Sequence, residues 1–214
     1  MQNLQIPEVS TLRYALLSLT LCLTLSVVAA PTELDRAASA MSGMEASFTH
    51  RFTAKGFKNS QVESGSVVFG SLPAMRWSYA KPEEKLFVFD GTSSWFYVPA
   101  DKQVTLGRVT EARKRDLPFL LLGDPAARDR AFAVRQQTRN GVVLTTLQPR
   151  DKASMVRTVS VSTDPSTHLI RTIEYTDREG NRTAFEFSGY HRRAASASTF
   201  TFTPPAGVQV IRAD

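Results

Sequence analysis

Residues able to do chemistry are few and scattered in this chain. Its three histidines, His50, His168 and His191, lie in separate segments without the paired spacing of a metal site. The single cysteine, Cys22, sits inside an apolar N-terminal run, so the rest of the chain carries neither a disulfide nor thiolate chemistry. No glycine-rich phosphate loop and no serine elbow are present. Asp90, Asp101, Asp124, Asp164 and Asp177 stand at turn positions, where aspartate serves the local backbone. These residues point away from an enzyme, and no cofactor or metal is expected.

The chain is rich instead in apolar aromatic surface, concentrated in residues 65–105, which hold both tryptophans. Met75, Trp77 and Tyr79 fall on one face of a strand. Leu86, Phe87, Val88 and Phe89 fill both faces of the next. Trp95 and Tyr97 share a face of a third, with Phe96 and Val98 behind them. A sheet with one wet face alternates apolar and polar residues, whereas here both faces are apolar in part. Such a surplus either fills a core or lines a cavity. A cavity of this kind binds acyl chains by surface burial, at about 0.8 kcal/mol per buried CH₂.

The N-terminus positions none of this. Arg13, the apolar run from Tyr14 to Val28 and the small residues Ala29-Ala30 follow the order of a secretory signal peptide. At about 15 residues the run is short of the roughly 20 a spanning helix needs. Residues 1–30 are therefore expected to be removed, leaving one domain over 31–214. Leu21 precedes Cys22, which is not a lipidation context. The charge of +6 is spread singly, apart from Arg113-Lys114-Arg115. An exported chain without a recognised motif is not expected to bind nucleic acid.

Leu34, Ala37, Ala38 and Met41 follow helical spacing, with Thr32 and Asp35 as a capping box and Gly43 as a stop. From Glu45 the period becomes two. Strands are predicted over 45–54, 62–69, the three aromatic segments, 103–107, 131–137, 142–148, 156–162, 169–176, 183–188 and 199–202. Asp90-Gly91 and Asn140-Gly141 are hairpin turns. The β pattern breaks over 110–124, where Pro118 and the run Phe119-Leu120-Leu121-Leu122 predict a helical excursion that serves as a core plug or as a movable lid. The fold class is mainly β: a single large antiparallel sheet curved into a barrel or sandwich, with short helices.

Several segments, in order, resemble the LolA-like family of periplasmic lipoprotein carriers. They are Ala46-Ser47-Phe48-Thr49-His50-Arg51-Phe52 after the helix, Gly65-Ser66-Val67-Val68-Phe69 with Pro73-Ala74-Met75-Arg76-Trp77-Ser78-Tyr79, and Asp90-Gly91 with Trp95-Phe96-Tyr97. Leu117 to Gly123 and the ending from Phe200 to Ile211 complete the set. The resemblance implies an incomplete antiparallel β-barrel with a helical lid, found in the periplasm. Its hydrophobic cavity takes the acyl chains of lipoproteins, received from an inner-membrane ATP-driven transporter and passed to an outer-membrane receptor. It implies a monomer that makes and breaks no bond. Candidate cavity residues are Phe48, Phe52, Trp77, Tyr79, Phe87, Phe89, Trp95 and Tyr97, with Leu120, Leu121 and Leu122 from the lid. The family's lid arginine, expected before the proline of the marked segment, is replaced here by Ser71-Leu72. The alternative is a LolA-like binder of another lipid, glycolipid or phospholipid, or an envelope lipoprotein sensor. A lipid hydrolase is a third class.

Overall fold

The structure, a computed structural model, describes residues 30–110, 119 and 122–213. The predicted signal segment and Leu120 and Leu121 lie outside them. Helix α1 spans Glu33–Met41. Its capping box forms as predicted: the Thr32 hydroxyl accepts from the Asp35 amide, and the Asp35 carboxylate accepts from the Thr32 amide at 2.8 Å. Gly43, at φ +72°, turns the chain into the first strand.

Twelve strands follow: β1 Met44–Thr53, β2 Gln61–Phe69, β3 Met75–Lys81, β4 Lys85–Phe89, β5 Ser93–Val98, β6 Gln103–Arg108, β7 Phe132–Arg139, β8 Val142–Pro149, β9 Val156–Thr163, β10 Ile170–Asp177, β11 Arg182–Arg192 and β12 Gln209–Ala213. They form one sheet in the order β12-β6-β5-β4-β3-β2-β1-β11-β10-β9-β8-β7. All neighbours are antiparallel except β12, which joins β6 in parallel. Among the described residues the sheet does not close, since β7 and β12 remain edges, as expected for an incomplete barrel. Asn140 and Gly141 both take positive φ, the requirement of the tight turn between β7 and β8. The Asp90 carboxylate accepts from the Thr92 and Ser93 amides and so closes the turn before β5.

Curvature follows from ring contacts. Strands β3 and β11 are three steps apart, about 14 Å in a flat sheet at 4.7–4.9 Å per strand. Yet the rings of Trp77 and Phe185 lie 5.3 Å apart, centre to centre. Side chains that start so far apart meet only if the sheet bends toward them, which makes theirs the concave face.

Two helices fill one half of that face. Leu34, Ala37 and Met41 of α1 join a continuous core with Leu122, Leu147, Val159, Val161 and Ile173. A second helix, α2, spans Pro125–Ala131. The strand predicted to start at Ala131 therefore begins one residue later, after a helix. Its start signal is Asp124-Pro125: the carboxylate accepts from the Ala127 amide at 2.9 Å, and proline occupies the first turn, where its missing N–H costs nothing.

Arg128 of α2 is almost wholly buried and donates to Asp35 at 2.8 Å and Asp129 at 3.0 Å, tying the two helices together. Burial pushes the Asp35 carboxyl up, but the hydrogen bonds from Arg128 and Thr32 outweigh it and hold it below the usual carboxylate range. Glu33, also buried, accepts from Thr163 at 2.9 Å and pairs with His168 at 3.0 Å.

The strand predicted over Thr199–Phe202 does not form. Residues Ala197–Phe200 make a 3₁₀ turn, with the Thr201 amide donating to the Ser198 carbonyl. Ser196, Ser198 and Thr199 offer the backbone local hydrogen bonds, which compete with a ladder. The segment crosses the convex face instead: Arg76 donates to the Thr199 carbonyl at 3.3 Å, and Tyr97 and Phe202 approach to 5.5 Å between ring centres. The chain then returns to the sheet edge as β12.

Candidate functional site

Register decides which aromatics share a face. Across β3 and β4, Trp77 stands opposite Phe87 and Met75 opposite Phe89. Across β4 and β5, Phe87 stands opposite Phe96. These residues are concave. Val88 stands opposite both Arg76 and Trp95, and Leu86 opposite Tyr97, so this second set is convex.

On the concave side, where β3–β5 extend beyond the helices, lies a pocket of about 290 Å³. Met75, Trp77, Phe87, Phe89, Phe96, Phe119, Tyr175 and Phe185 give it apolar walls. Met75, Trp77 and Phe89 are its deep, buried part. Phe119, from the segment predicted as plug or lid, meets Trp77 at 4.9 Å and Phe185 at 5.0 Å, edge to face. Phe48 packs behind the wall against Trp77 and Tyr79, at 5.0 and 4.8 Å. Phe48 and Tyr79 flank Gly65 in neighbouring strands and meet across it. A Cβ on Gly65 would stand 1.9 Å from the Ser78 carbonyl oxygen, so only glycine fits there.

The rim of this pocket is charged. Glu63 Oε1 accepts from Lys85 Nζ at 2.5 Å, and Glu63 Oε2 lies 3.0 Å from His50 Nδ1. The His50 ring stacks on Phe185 at 4.3 Å, with an interplanar angle of 2°. Burial lowers the pKa of His50 despite the neighbouring Glu63, and Lys85 adds to the lowering. For Glu63, burial acts upward, but hydrogen bonds from Lys85 and His50 win and hold it below the usual value. Burial pushes the Tyr79 hydroxyl up, helped by Glu63, so it keeps its proton.

Of the residues singled out from the sequence, Trp77, Tyr79, Phe87 and Phe89 line the pocket and Phe48 supports it. Phe52 shares their face at the far end of β1, opposite Thr183, and does not line the pocket. Trp95 and Tyr97 do not join them. They lie on the convex face, and Phe96 between them points inward, because successive residues of a strand alternate sides. Leu122 is buried in the solid half of the core, with Phe132 and Val161.

Sequence reasoning missed Met75, Phe96, Phe119, Tyr175 and Phe185 as wall residues, and the three rim residues. Phe185 and Phe187 share one face of β11 as Phe48 and Phe52 share one of β1, so the same period-two signal was present. Leu72 lies against the end of the excursion: a Cβ on Gly123 would stand 2.6 Å from the Leu72 carbonyl carbon. The approach there is backbone to backbone.

An open antiparallel sheet bent around an aromatic pocket, with short helices filling part of its hollow, defines a half-barrel class of β protein. The chain belongs to the LolA family: residues 39–203 match the family model described as outer membrane lipoprotein carrier protein LolA. An outer-membrane lipoprotein carrier protein of Xanthomonas axonopodis pv. citri is 32% identical over 212 residues, covering 94% of this chain and 96% of the relative. A namesake from Klebsiella pneumoniae is 28% identical over 183 residues, covering 85% and 87%. Among solved structures, an uncharacterized conserved protein from Thermus thermophilus shares the fold. It aligns at a TM-score of 0.53 and 13% identity over 85% of this chain and 97% of that one.

Proposed function

We propose that this chain is a lipoprotein carrier of the cell envelope, sheltering lipoprotein acyl chains in the concave pocket. Family membership and the names of the relatives support this. The observation that carries the reading to particular residues is the pocket itself, an aromatic-walled hollow in a sheet whose other half is packed solid. Apolar walls bind acyl chains without chemistry, so the carrier needs no catalytic group.

On this reading residues 1–30 are a signal peptide and residues 31–214 the carrier domain, working as a monomer in the periplasm. An inner-membrane ATP-driven transporter loads it and an outer-membrane receptor unloads it. The excursion carrying Phe119, Leu120, Leu121 and Leu122 is the lid. Phe119 closes over the pocket while Leu72 and Gly123 hold the lid's end. At about 290 Å³ the pocket is near the lower bound of ligand sites. Outward movement of Phe119 is the route by which it would enlarge.

The test is release of an acylated lipoprotein from inner-membrane vesicles carrying the energised transporter. The expected product is a soluble one-to-one complex with the mature chain. Failure across several lipoproteins, where an established carrier succeeds, would overturn the reading.

A further inference from the structure

The charged rim is costly where it stands. A Lys–Glu pair half-sunk beside an aromatic wall loses hydration, and apolar residues of similar size would serve stability as well or better. Groups placed at such a cost in a pocket are candidates for recognition.

Their hydrogen-bonding capacity is definite. Glu63 is a carboxylate, and its two oxygens are taken by Lys85 and His50, one each. An acceptor at Nδ1 places the imidazole proton on that nitrogen. Since burial keeps the ring neutral, Nε2 is left as an acceptor. Lys85 has three N–H donors and spends one on Glu63 at hydrogen-bond distance; Glu83 lies farther off, at 3.8 Å. The rim therefore has both a donor and an acceptor to offer, held side by side by one carboxylate.

The geometry points to a head-group site: Lys85 and His50, positioned by Glu63, take the carbonyl oxygen and the N–H of an amide-linked acyl chain whose tail lies against Trp77 and Phe89. The inference rests on the acyl-chain reading of the pocket and adds to it the chemistry of the linkage. An ester supplies only the acceptor, and an ether a weaker one. Lys85 thus separates carbonyl compounds from ethers, while His50 separates amides from esters. Both act by hydrogen bonding in a partly dry site, where an unmade bond is felt most.

The test titrates the mature chain with three probes of one chain length, N-methyldodecanamide, methyl dodecanoate and dodecyl methyl ether, following tryptophan fluorescence and confirming by calorimetry. At about 0.5–1.5 kcal/mol per hydrogen bond, each step from ether to ester to amide should tighten binding by roughly two- to tenfold. His50→Phe keeps the stack on Phe185 and should erase the amide-over-ester step alone. Lys85→Met should erase the ester-over-ether step, weakening the ester far more than the ether. The double variant Glu63→Leu, Lys85→Met removes both charges together, so that no stranded carboxylate confounds folding; it should erase the ester-over-ether step and, because His50 loses the carboxylate that fixes its tautomer, shrink the amide-over-ester step as well. Equal affinity of wild type for all three probes, or an unchanged order in the variants, overturns the head-group site while leaving acyl binding intact. Binding of none of the three overturns the acyl-chain reading and this inference with it.

Discussion

Trp77 and Trp95 sit two strands apart in the same sheet, on opposite faces. Trp77 looks into the hollow and meets Phe48, Phe119 and Phe185, side chains delivered from other strands by curvature. Trp95 looks outward, beside the buried Val88 and near Tyr97, on a face covered by the chain's own C-terminal segment through Phe200 and Phe202. The aromatic surplus of residues 65–105 thus has two separate uses. On the convex face the chain covers its own apolar surface and makes a second small core. On the concave face the described residues fill one half, and the other half holds the pocket. Apolar residues that a chain fully covers speak for stability, and those it leaves beside a void speak for a ligand.

The sharpest way to break this division is to truncate one large side chain on each face. Trp77→Ala removes the centre of the concave cluster and should cost about 3–5 kcal/mol in urea unfolding, with loss of acyl-probe binding. Phe200→Ala opens the convex cover and should cost about 3 kcal/mol, toward the lower end of the range, because its ring lies at the margin of burial. It should raise binding of a surface-sensitive dye yet leave probe affinity unchanged. If Phe200→Ala weakened the acyl probe as much as Trp77→Ala, the two faces would not be independent.

A smaller effect separates the faces at matched positions. Phe87 and Tyr97 are partly buried aromatics on neighbouring strands β4 and β5, one concave and one convex. Phe87→Ala should weaken a dodecyl probe by about tenfold, from roughly 1.5 kcal/mol of lost burial. Tyr97→Ala should leave its affinity within experimental error. Equal losses would mean that the ligand lies elsewhere.

Parity is also where sequence reading ran out. The α1 cap, the Asp90-Gly91 and Asn140-Gly141 turns and most strands were legible because each depends on residues close in sequence. A curved antiparallel sheet was legible from strand spacing, and the resemblance implied that its barrel is incomplete. Which of Trp95 or Phe96 faces the hollow was not, because alternation is the same read from either side and only pairing with Phe87 decides it. The parallel pairing of β12 with β6 joins distant segments and leaves no local mark. Glu63, Lys85 and His50 looked like ordinary strand polar residues. They become a site only when β1, β2 and β4 bring them to one rim, which is a property of register and curvature.

The smallest predicted effect is a pH dependence that belongs to the concave face. The partly buried His50 has its pKa depressed below the ordinary 6.5, first by burial and further by Lys85, against the pull of Glu63. Between that lowered value and 6.5 the unfolded chain holds the more protons, so stability rises with pH across the window. The contribution is present above 6.5 and is lost as pH falls through the folded-state value. Glu63 acts in the same direction but lower, its contribution being lost as pH falls from 4.5 through its own lowered pKa. On the convex side the Arg193-paired Glu45 also has its pKa lowered, and it likewise acts only in the carboxylate range. Urea midpoints measured from pH 8 to pH 5 should therefore fall slightly for wild type, and the slope should shrink in His50→Phe. Binding of the amide probe should weaken over the same interval, because protonation of His50 turns its Nε2 from acceptor to donor. A wild-type midpoint independent of pH in that interval, or a slope unchanged by His50→Phe, would show that His50 is not held neutral at the rim. The concave face would then lose its polar reader and keep only its apolar walls.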